Sequence, residues 1–142
     1  MTQQSLISRI SMLQDKISAM REKYYRLLMV ENAEFDGIMM PESIIIYGVG
    51  DIGKIFYEKI KTRYKVECFL DSYSQETEYD GIPVIRPDKK ANMVGKMIVV
   101  VPVYDYDKIA EMLEKLYGST NSIVSLNEFC RNAEKNTQQN GV

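Results

Sequence analysis

The chain has 142 residues, enough for one ordinary domain with an additional element, and 45% of them are hydrophobic, so a folded core is expected. Its 18 basic and 20 acidic residues give a net charge of -2 and form no basic cluster, which argues against nucleic-acid binding. The sequence contains no histidine, which excludes Ser-His-Asp and Cys-His catalytic systems and every His-containing zinc site.

A heptad pattern runs through the first 35 residues. Apolar side chains recur there at alternating spacings of four and three, at Leu6, Ile10, Leu13, Ile17, Met20, Tyr24 and Leu27. The spacing predicts a long N-terminal helix over 1–35, and such a helix needs its apolar stripe covered to be stable in water. The strict repeat favours a homodimer through these seven residues, and the alternative is that the helix docks on its own α/β domain.

Three further segments follow the predicted helix. Residues 36–41 contain Gly37 and Pro41 and are expected to be a linker. Residues 42–135 alternate strand-like and helix-like runs, which is typical of an α/β domain. Residues 136–142 are polar and are expected to be a disordered tail.

The strongest motif lies where the first strand-like run, residues 43–47, leads into GVGDIG at residues 48–53. This is the GxGxxG pattern, in which Gly48 permits a tight turn, Gly50 lets a phosphate approach the backbone, and Gly53 allows the helix to pack close to the strand. The first-turn amides of that helix point at the ligand, and the helix dipole favours an anion there. Asp51, inside the loop, adds a negative charge that must point outward or cap the helix.

A second strand-like run ends at Asp71, which lies 18 residues after Gly53, close to the spacing of about 20 found for ribose-binding acids. We expect this carboxylate to accept hydrogen bonds from both ribose hydroxyls. A polar loop, a short edge strand with Pro83, a buried strand near 97–101, a helix over 106–117 and a last strand near 123–126 follow.

The predicted fold is therefore a Rossmann-like parallel sheet of order 3-2-1-4-5, preceded by the long heptad helix. Its ligand crevice is expected at the carboxyl ends of strands one and four. The predicted cofactor-binding residues are Gly48, Val49, Gly50, Asp51, Ile52, Gly53, Asp71, Ser72, Val103 and Tyr104.

Four strings of residues carry a resemblance to a known family. They are IIIYGVGDIGKIFYEKI, a strand ending in FLDS, DGIPVI, and MIVVVPV followed by a helix. Over about residues 42–130 the chain resembles the Rossmann-like nucleotide-binding domain of bacterial sugar-nucleotide and surface-polysaccharide biosynthesis proteins, as in the N-terminal domains of sugar acyltransferases and the leading domains of polysaccharide epimerases.

The resemblance implies a nucleotide ligand, either NAD or a nucleoside diphosphate sugar. It places Gly48, Gly50 and Gly53 at the phosphates, and Asp71 with Ser72 at the ribose or base. The family's hexapeptide repeats, methyltransferase region and membrane helices have no counterpart in this sequence, so the resemblance carries over binding and not chemistry.

Catalytic signals are weak by comparison. Two Tyr-xxx-Lys pairs, Tyr57 with Lys61 and Tyr104 with Lys108, match the pattern of dehydrogenases and epimerases, but a chain this rich in Tyr and Lys produces such pairs by chance. The acidic run at 76–80 is interpreted as a solvated loop, so no metal site is expected.

Cys68 and Cys130 lie in apolar runs and are expected to be buried reduced thiols. The first residues lack a secretory signal, and the longest apolar stretch is far shorter than the ~20 residues that span a bilayer. The sequence therefore predicts a cytoplasmic protein without a membrane span.

The leading functional hypothesis is a non-catalytic nucleotide-binding module that works beside a sugar-nucleotide or polysaccharide-biosynthesis enzyme. Two alternatives remain open at this stage. One is a small NAD-dependent oxidoreductase or epimerase using Tyr104 and Lys108, and the other is an interaction scaffold with an empty Rossmann fold.

Overall fold

The computed structural model of the protein describes residues 2–33, 43–88, 93, 96–102, 105–118 and 121–132. Within these ranges the elements are α1 (Gln3–Asn32), β1 (Ser43–Tyr47), α2 (Asp51–Ile60), β2 (Lys65–Leu70), β3 (Glu78–Tyr79), β4 (Ile82–Ile85), β5 (Met97–Val100), α3 (Tyr106–Tyr117) and β6 (Ser122–Ser125). A short helix over 126–132 follows β6. The predicted linker 36–41 and tail 136–142 lie outside the described residues.

The strands form one sheet in the order β3-β4-β2-β1-β5-β6. Strands β4, β2, β1, β5 and β6 run parallel to their neighbours, and β3 pairs antiparallel with β4. The α/β class and the order of the five parallel strands are confirmed. The sheet has one strand more than predicted, the two-residue β3. It pairs with β4, so β4 is not the edge strand that the sequence predicted.

The β3–β4 connection explains the additional strand. Asp80 and Gly81 have φ values of 52° and 76°, the paired left-handed conformations that a two-residue hairpin turn needs. An Asp-Gly pair is a strong hairpin signal, and Pro83 of β4 lies opposite Glu78 in the register. This hairpin takes the place of the crossover helix that a full Rossmann unit would carry between β2 and β4.

Strand β1 lies in the middle of the five parallel strands, and both of its faces are covered by core side chains. Ile44 and Ile46 belong to a core cluster with α2 and the 126–132 helix, whereas Ile45 and Tyr47 belong to a second cluster with α3. Burial on both faces accounts for the continuous β-branched run in place of an alternating pattern. The carboxyl end of β1 thus emerges between two helical layers.

Helix α1 begins at the cap residue Thr2, whose hydroxyl accepts a hydrogen bond from the Ser5 amide at 3.2 Å. Every residue from 2 to 21 is exposed, and we call 3–21 the projecting segment. Residues 22–33 form the docked segment, in which Val30 and Ala33 are 0% exposed and Leu27 packs against the core. The helix gives way to extended backbone at Ala33, two residues before its predicted end.

A polar cluster lies toward the amino-terminal ends of the central parallel strands, away from the glycine loop. Glu67 accepts hydrogen bonds from the Ser43 hydroxyl at 3.2 Å and from the Lys96 ammonium. These contacts lower the pKa of Glu67, chiefly through the hydrogen bond from Lys96. They tie β1, β2 and the start of β5 together at the end of the sheet away from the crevice.

Candidate functional site

The glycine loop at residues 48–50 connects the carboxyl end of β1 to α2. Gly48 has a φ of 108°, a conformation that side-chain-bearing residues rarely adopt, and its amide donates to the Leu70 carbonyl at 2.8 Å. A Cβ on Gly53 would lie 1.9 Å from the Gly48 carbonyl oxygen. The loop and the first turn of α2 therefore pack so closely that both positions require glycine.

Gly50 differs from these two glycines. A Cβ built on it would meet nothing within 4 Å, and its φ of -70° is open to any residue. The fold itself therefore does not require glycine at this position. Gly50 lines a cavity of about 370 Å³ over the loop, so a side chain here would occupy space that a ligand can use.

The amino terminus of α2 faces the same cavity. Gly50 is the cap residue, and in the described part of the chain no side chain caps this helix. The first-turn amides of a helix have no intrahelical acceptor and carry the positive end of the dipole. Asp51 and Ile52 supply such amides, whereas the Ile52 side chain is 7% exposed and belongs to the core.

The Asp71 carboxylate is used mostly for hydrogen bonds within the fold, whereas the sequence predicted that it would bind the ribose. One of its carboxylate oxygens accepts the Val49 amide at 3.0 Å, and the other accepts the amides of Tyr73 at 2.9 Å and Ser74 at 3.0 Å. Since a carboxylate offers about four acceptor sites, three are already used and about one remains. Asp71 ties the glycine loop to the loop after β2 and has room for one ribose hydroxyl where two were expected, and the Val49 amide is not free for phosphate.

Asp51 points outward from the loop. Its side chain is 80% exposed and pairs with the Lys23 ammonium of α1 at 3.3 Å. The negative charge that the sequence placed beside the phosphate site is thus balanced by a cation from the N-terminal helix.

Two basic residues of α1 line the cavity over the loop, and neither was predicted from the sequence. They are Lys23 and Arg26, in the docked segment. Arg26 donates from Nη1 to the Val101 carbonyl at 2.8 Å, just beyond the end of β5. The available signal was their spacing from Val30, since Arg26 is one turn and Lys23 two turns before that buried residue on the same helix face.

A second cavity, of about 490 Å³, opens on the α3 side of the sheet and shares Asp71 and Pro102 with the first. Other side chains that line it are Tyr47, Ser72, Tyr73, Asp105, Lys108, Ile109 and Met112. The two cavities together form a crevice across the carboxyl ends of β1 and β5, where Rossmann-like folds bind their ligands. Of the predicted lining residues, Val103 and Tyr104 lie outside the described residues.

Aromatic and hydroxyl groups dominate one wall of the second cavity. The hydroxyls of Tyr47 and Ser72 form a hydrogen bond of 2.8 Å, and burial raises the pKa of Tyr47. Tyr73 is 89% exposed, so its ring is available to a planar ligand group. Tyr73 was not among the predicted residues, although it directly follows the predicted Asp71 and Ser72.

The pair Tyr57 and Lys61 has the wrong environment for proton transfer. The Tyr57 hydroxyl donates to Asp80 at 2.6 Å, and this hydrogen bond is the main cause that raises the pKa of Tyr57 to about 12. A catalytic tyrosine needs a lowered pKa. Neither residue lines the two cavities of the crevice.

The two cysteines and the acidic side chains give no further catalytic or metal site among the described residues. Cys68 and Cys130 are buried and do not form a disulfide bond, and burial raises the pKa of Cys68 to about 11. Among the described residues, no group of three Cys, Asp or Glu side chains is arranged to hold a metal ion.

The fold and crevice define a Rossmann-like α/β protein. No protein-family model, curated protein or solved structure matches this chain. In the parts of the chain that the structure describes, no helix has both the length and the apolar character needed to cross a membrane.

Proposed function

We propose that this protein is a nucleotide-binding module whose ligand is NAD or a nucleoside diphosphate sugar. The observation that carries the proposal is the cavity over the glycine loop. It combines the uncapped amino terminus of α2, a glycine at position 50 that the fold does not need, and basic side chains at Lys23 and Arg26. Backbone amides, a helix dipole and nearby cations are the groups that bind phosphate in proteins.

The nucleoside would lie across Pro102 in the second cavity. Tyr73 offers an exposed ring to a base, and the remaining acceptor site of Asp71 suits one sugar hydroxyl. The paired hydroxyls of Tyr47 and Ser72 add polar groups on the same wall. This arrangement favours a ligand with a phosphate at one end and a sugar and base at the other.

The role in sugar-nucleotide or polysaccharide biosynthesis rests on the resemblance of residues 42–130, and it makes an enzyme of such a pathway the proposed partner. A cytoplasmic location is part of the same proposal, and it is supported by two buried cysteines that do not form a disulfide bond. We propose binding without catalysis because the described crevice residues Tyr47 and Asp71 are engaged in hydrogen bonds within the fold.

One observation keeps an enzymatic alternative open. Lys108 lines the second cavity, where the sequence predicted a Tyr104–Lys108 pair of an oxidoreductase or epimerase. Turnover of a sugar nucleotide that disappears in Tyr104→Phe would establish this alternative in place of a binding module.

The proposal includes a homodimer through α1. The stripe residues Leu6, Ile10, Leu13, Ile17, Met20 and Tyr24 are all exposed, and they have the four-three spacing of a coiled-coil seam. The positions that flank this seam carry Arg9, Lys16, Arg21 and Lys23, which all have the same sign of charge. Because like charges at these positions repel across a dimer, we expect the association to be weak at low salt and to tighten as salt is added.

Thermal-shift measurements with NAD, UDP-glucose, a CDP-sugar and coenzyme A test the proposed ligand. We expect stabilisation by at least one of them and its loss in Gly50→Asp, because a carboxylate there would repel phosphate while leaving the packing intact. Thr62→Asp, which adds the same charge beyond the other end of α2, is the matched control. A wild-type protein that no nucleotide stabilises, or equal stabilisation of Gly50→Asp, would refute the proposal.

A further inference from the structure

Arg26 is held beside the glycine loop by the packing of its own helix. Val30, one turn later, is 0% exposed in the core cluster that also contains Val49 and Ile52. The docked segment cannot shift along the sheet without uncovering that side chain. Arg26 therefore occupies a fixed place next to the loop that follows β1.

The guanidinium of Arg26 is only partly satisfied. Its Nη1 donates to the Val101 carbonyl at 2.8 Å, whereas its Nε is enclosed by protein and has no hydrogen-bond partner in the described part of the chain. The carbonyl contact positions the planar group, and the Nη donors that it leaves over suit an acceptor that presents two oxygens side by side, as a phosphate does.

The partners of the charged side chains around the cavity show which charge is available to a ligand. Four charged side chains of the described residues line it: Lys23, Arg26, Asp51 and Asp71. Lys23 pairs with Asp51, and Asp71 accepts three backbone amides. The contact of Arg26 is with a neutral carbonyl, and within the described residues no carboxylate pairs with its positive charge.

We infer that Arg26 is the residue that makes this site selective for a diphosphate. The first phosphate binds the amides at the amino terminus of α2, and the second binds the Arg26 guanidinium. This inference rests on the proposed nucleotide-binding function and adds the residue that sets its selectivity: because of Arg26, nucleoside diphosphates and their esters bind more tightly than nucleoside monophosphates. The N-terminal helix thereby supplies part of the ligand site.

Calorimetric titration of the full chain with UDP against UMP, and with ADP against AMP, tests the inference. In the wild type we expect the diphosphate of the preferred base to bind about 10-fold to 100-fold more tightly, as a charge-assisted bidentate contact provides. In Arg26→Gln this ratio should fall to about 3 or less. Arg21→Gln, the same substitution on the exposed part of α1, should leave the ratio unchanged.

The outcomes separate this inference from the proposed function. A wild type that binds none of the four nucleotides refutes both. Equal wild-type affinities for the monophosphate and diphosphate, or a ratio that survives in Arg26→Gln, refute the selective role of Arg26 alone. Equal loss of both affinities in Arg26→Gln also refutes it, since that result indicates a structural role.

A second variant covers the case in which Arg26→Gln does not fold. Arg26→Lys keeps the charge and the aliphatic stem, but an ammonium cannot make two parallel hydrogen bonds to a phosphate. We expect its ratio to fall several-fold below that of the wild type. An unchanged ratio counts against the inference.

Discussion

The projecting and docked segments of α1 continue one heptad pattern in very different surroundings. The stripe residues Ile17 and Met20 are 49% and 70% exposed, whereas the stripe residue Leu27 is partly buried against the core. Val30, which lies beside the stripe, is fully buried. The side chains are similarly apolar, and the difference is that α2 and the core beside it cover only the last turns. A heptad stripe therefore shows which face of a helix needs covering, and it does not show what covers each part of that face.

This division gives the two segments separate roles. The docked segment brings Lys23 and Arg26 to the proposed phosphate site, and the projecting segment carries all the exposed stripe residues proposed for dimerisation except Tyr24. Both belong to one continuous helix, Gln3–Asn32. Of the two alternatives drawn from the sequence, docking describes the last turns of α1, and pairing stays a proposal for the projecting segment. Variants can test the two separately.

The largest expected effect on stability comes from a substitution where the first turn of α2 packs on the glycine loop, beside the docked segment. Gly53→Ala places a Cβ 1.9 Å from the Gly48 carbonyl oxygen, so backbone must move. We expect the free energy of unfolding in urea to fall by about 3 kcal/mol or more. Gly50→Ala is the control, with an expected change below about 1 kcal/mol because its Cβ meets no atom within 4 Å. Similar losses in both variants would show that the loop is not packed as described.

The next effect concerns the docked segment. Val30→Ala removes two methyl groups from a fully buried side chain, so we expect a loss of about 2 kcal/mol in the free energy of unfolding. The same truncation in the projecting segment, Ile17→Ala, should change the stability of the monomer by less than about 0.5 kcal/mol. Urea unfolding at low protein concentration measures both. A Val30→Ala protein as stable as the wild type would contradict the docking of this segment.

A third test concerns association through the projecting segment. Ile17→Ala removes a seam residue from each of two helices, so we expect the dimer dissociation constant to rise at least about 10-fold. Sedimentation equilibrium at low and high salt measures it, with Ser18→Ala as the control beside the seam. A wild-type protein that stays monomeric at every concentration and salt level would eliminate the proposed dimer.

The smallest expected effect is on the pH dependence of stability. It comes from Glu67, in the polar cluster toward the amino-terminal ends of the strands, and it does not involve α1. The folded-state pKa of Glu67 is lowered, so its contribution to stability is full above the ordinary Glu pKa and is lost as pH falls through the lowered value. Because the pair with Lys96 is partly exposed, we expect about 1 kcal/mol or less. Urea unfolding from pH 6 down to pH 3 should show this dependence reduced in Glu67→Gln. An identical pH profile in that variant would show that the pair does not contribute.

Most of the sheet could be predicted from local patterns. The continuous apolar run at β1, the GxGxxG loop and the amphipathic period of α3 are short-range signals, and α3 has its predicted bounds of Tyr106–Tyr117. The strand order was taken from the usual arrangement of Rossmann-like sheets, which the GxGxxG loop between strand and helix indicated. The β3–β4 hairpin was missed although Asp80–Gly81 is a local signal, because the polar residues before it resembled an ordinary loop.

The contents of the site were harder to predict because they depend on contacts between distant segments. The motif located Gly48, Gly50 and Gly53, but it did not show that only Gly50 is free of packing constraints. Arg26 lies 75 residues from the carbonyl that positions it. Helical spacing places Arg26 on the same face as Val30, but it does not show that distant partner. Asp71 was found by its spacing, but its three backbone partners follow from how the two loops approach each other.

The central claim is that the amino terminus of α2 binds phosphate, and amide chemical shifts test it most directly. In a two-dimensional nitrogen–proton spectrum titrated with UDP and NAD, we predict that the largest changes fall on the amides of Gly50, Asp51 and Ile52. Amides of the projecting segment, such as that of Ser11, should not move. The claim is contradicted if neither ligand shifts the loop amides, or if the largest changes fall at the separate cavity beside Glu31 and Lys59.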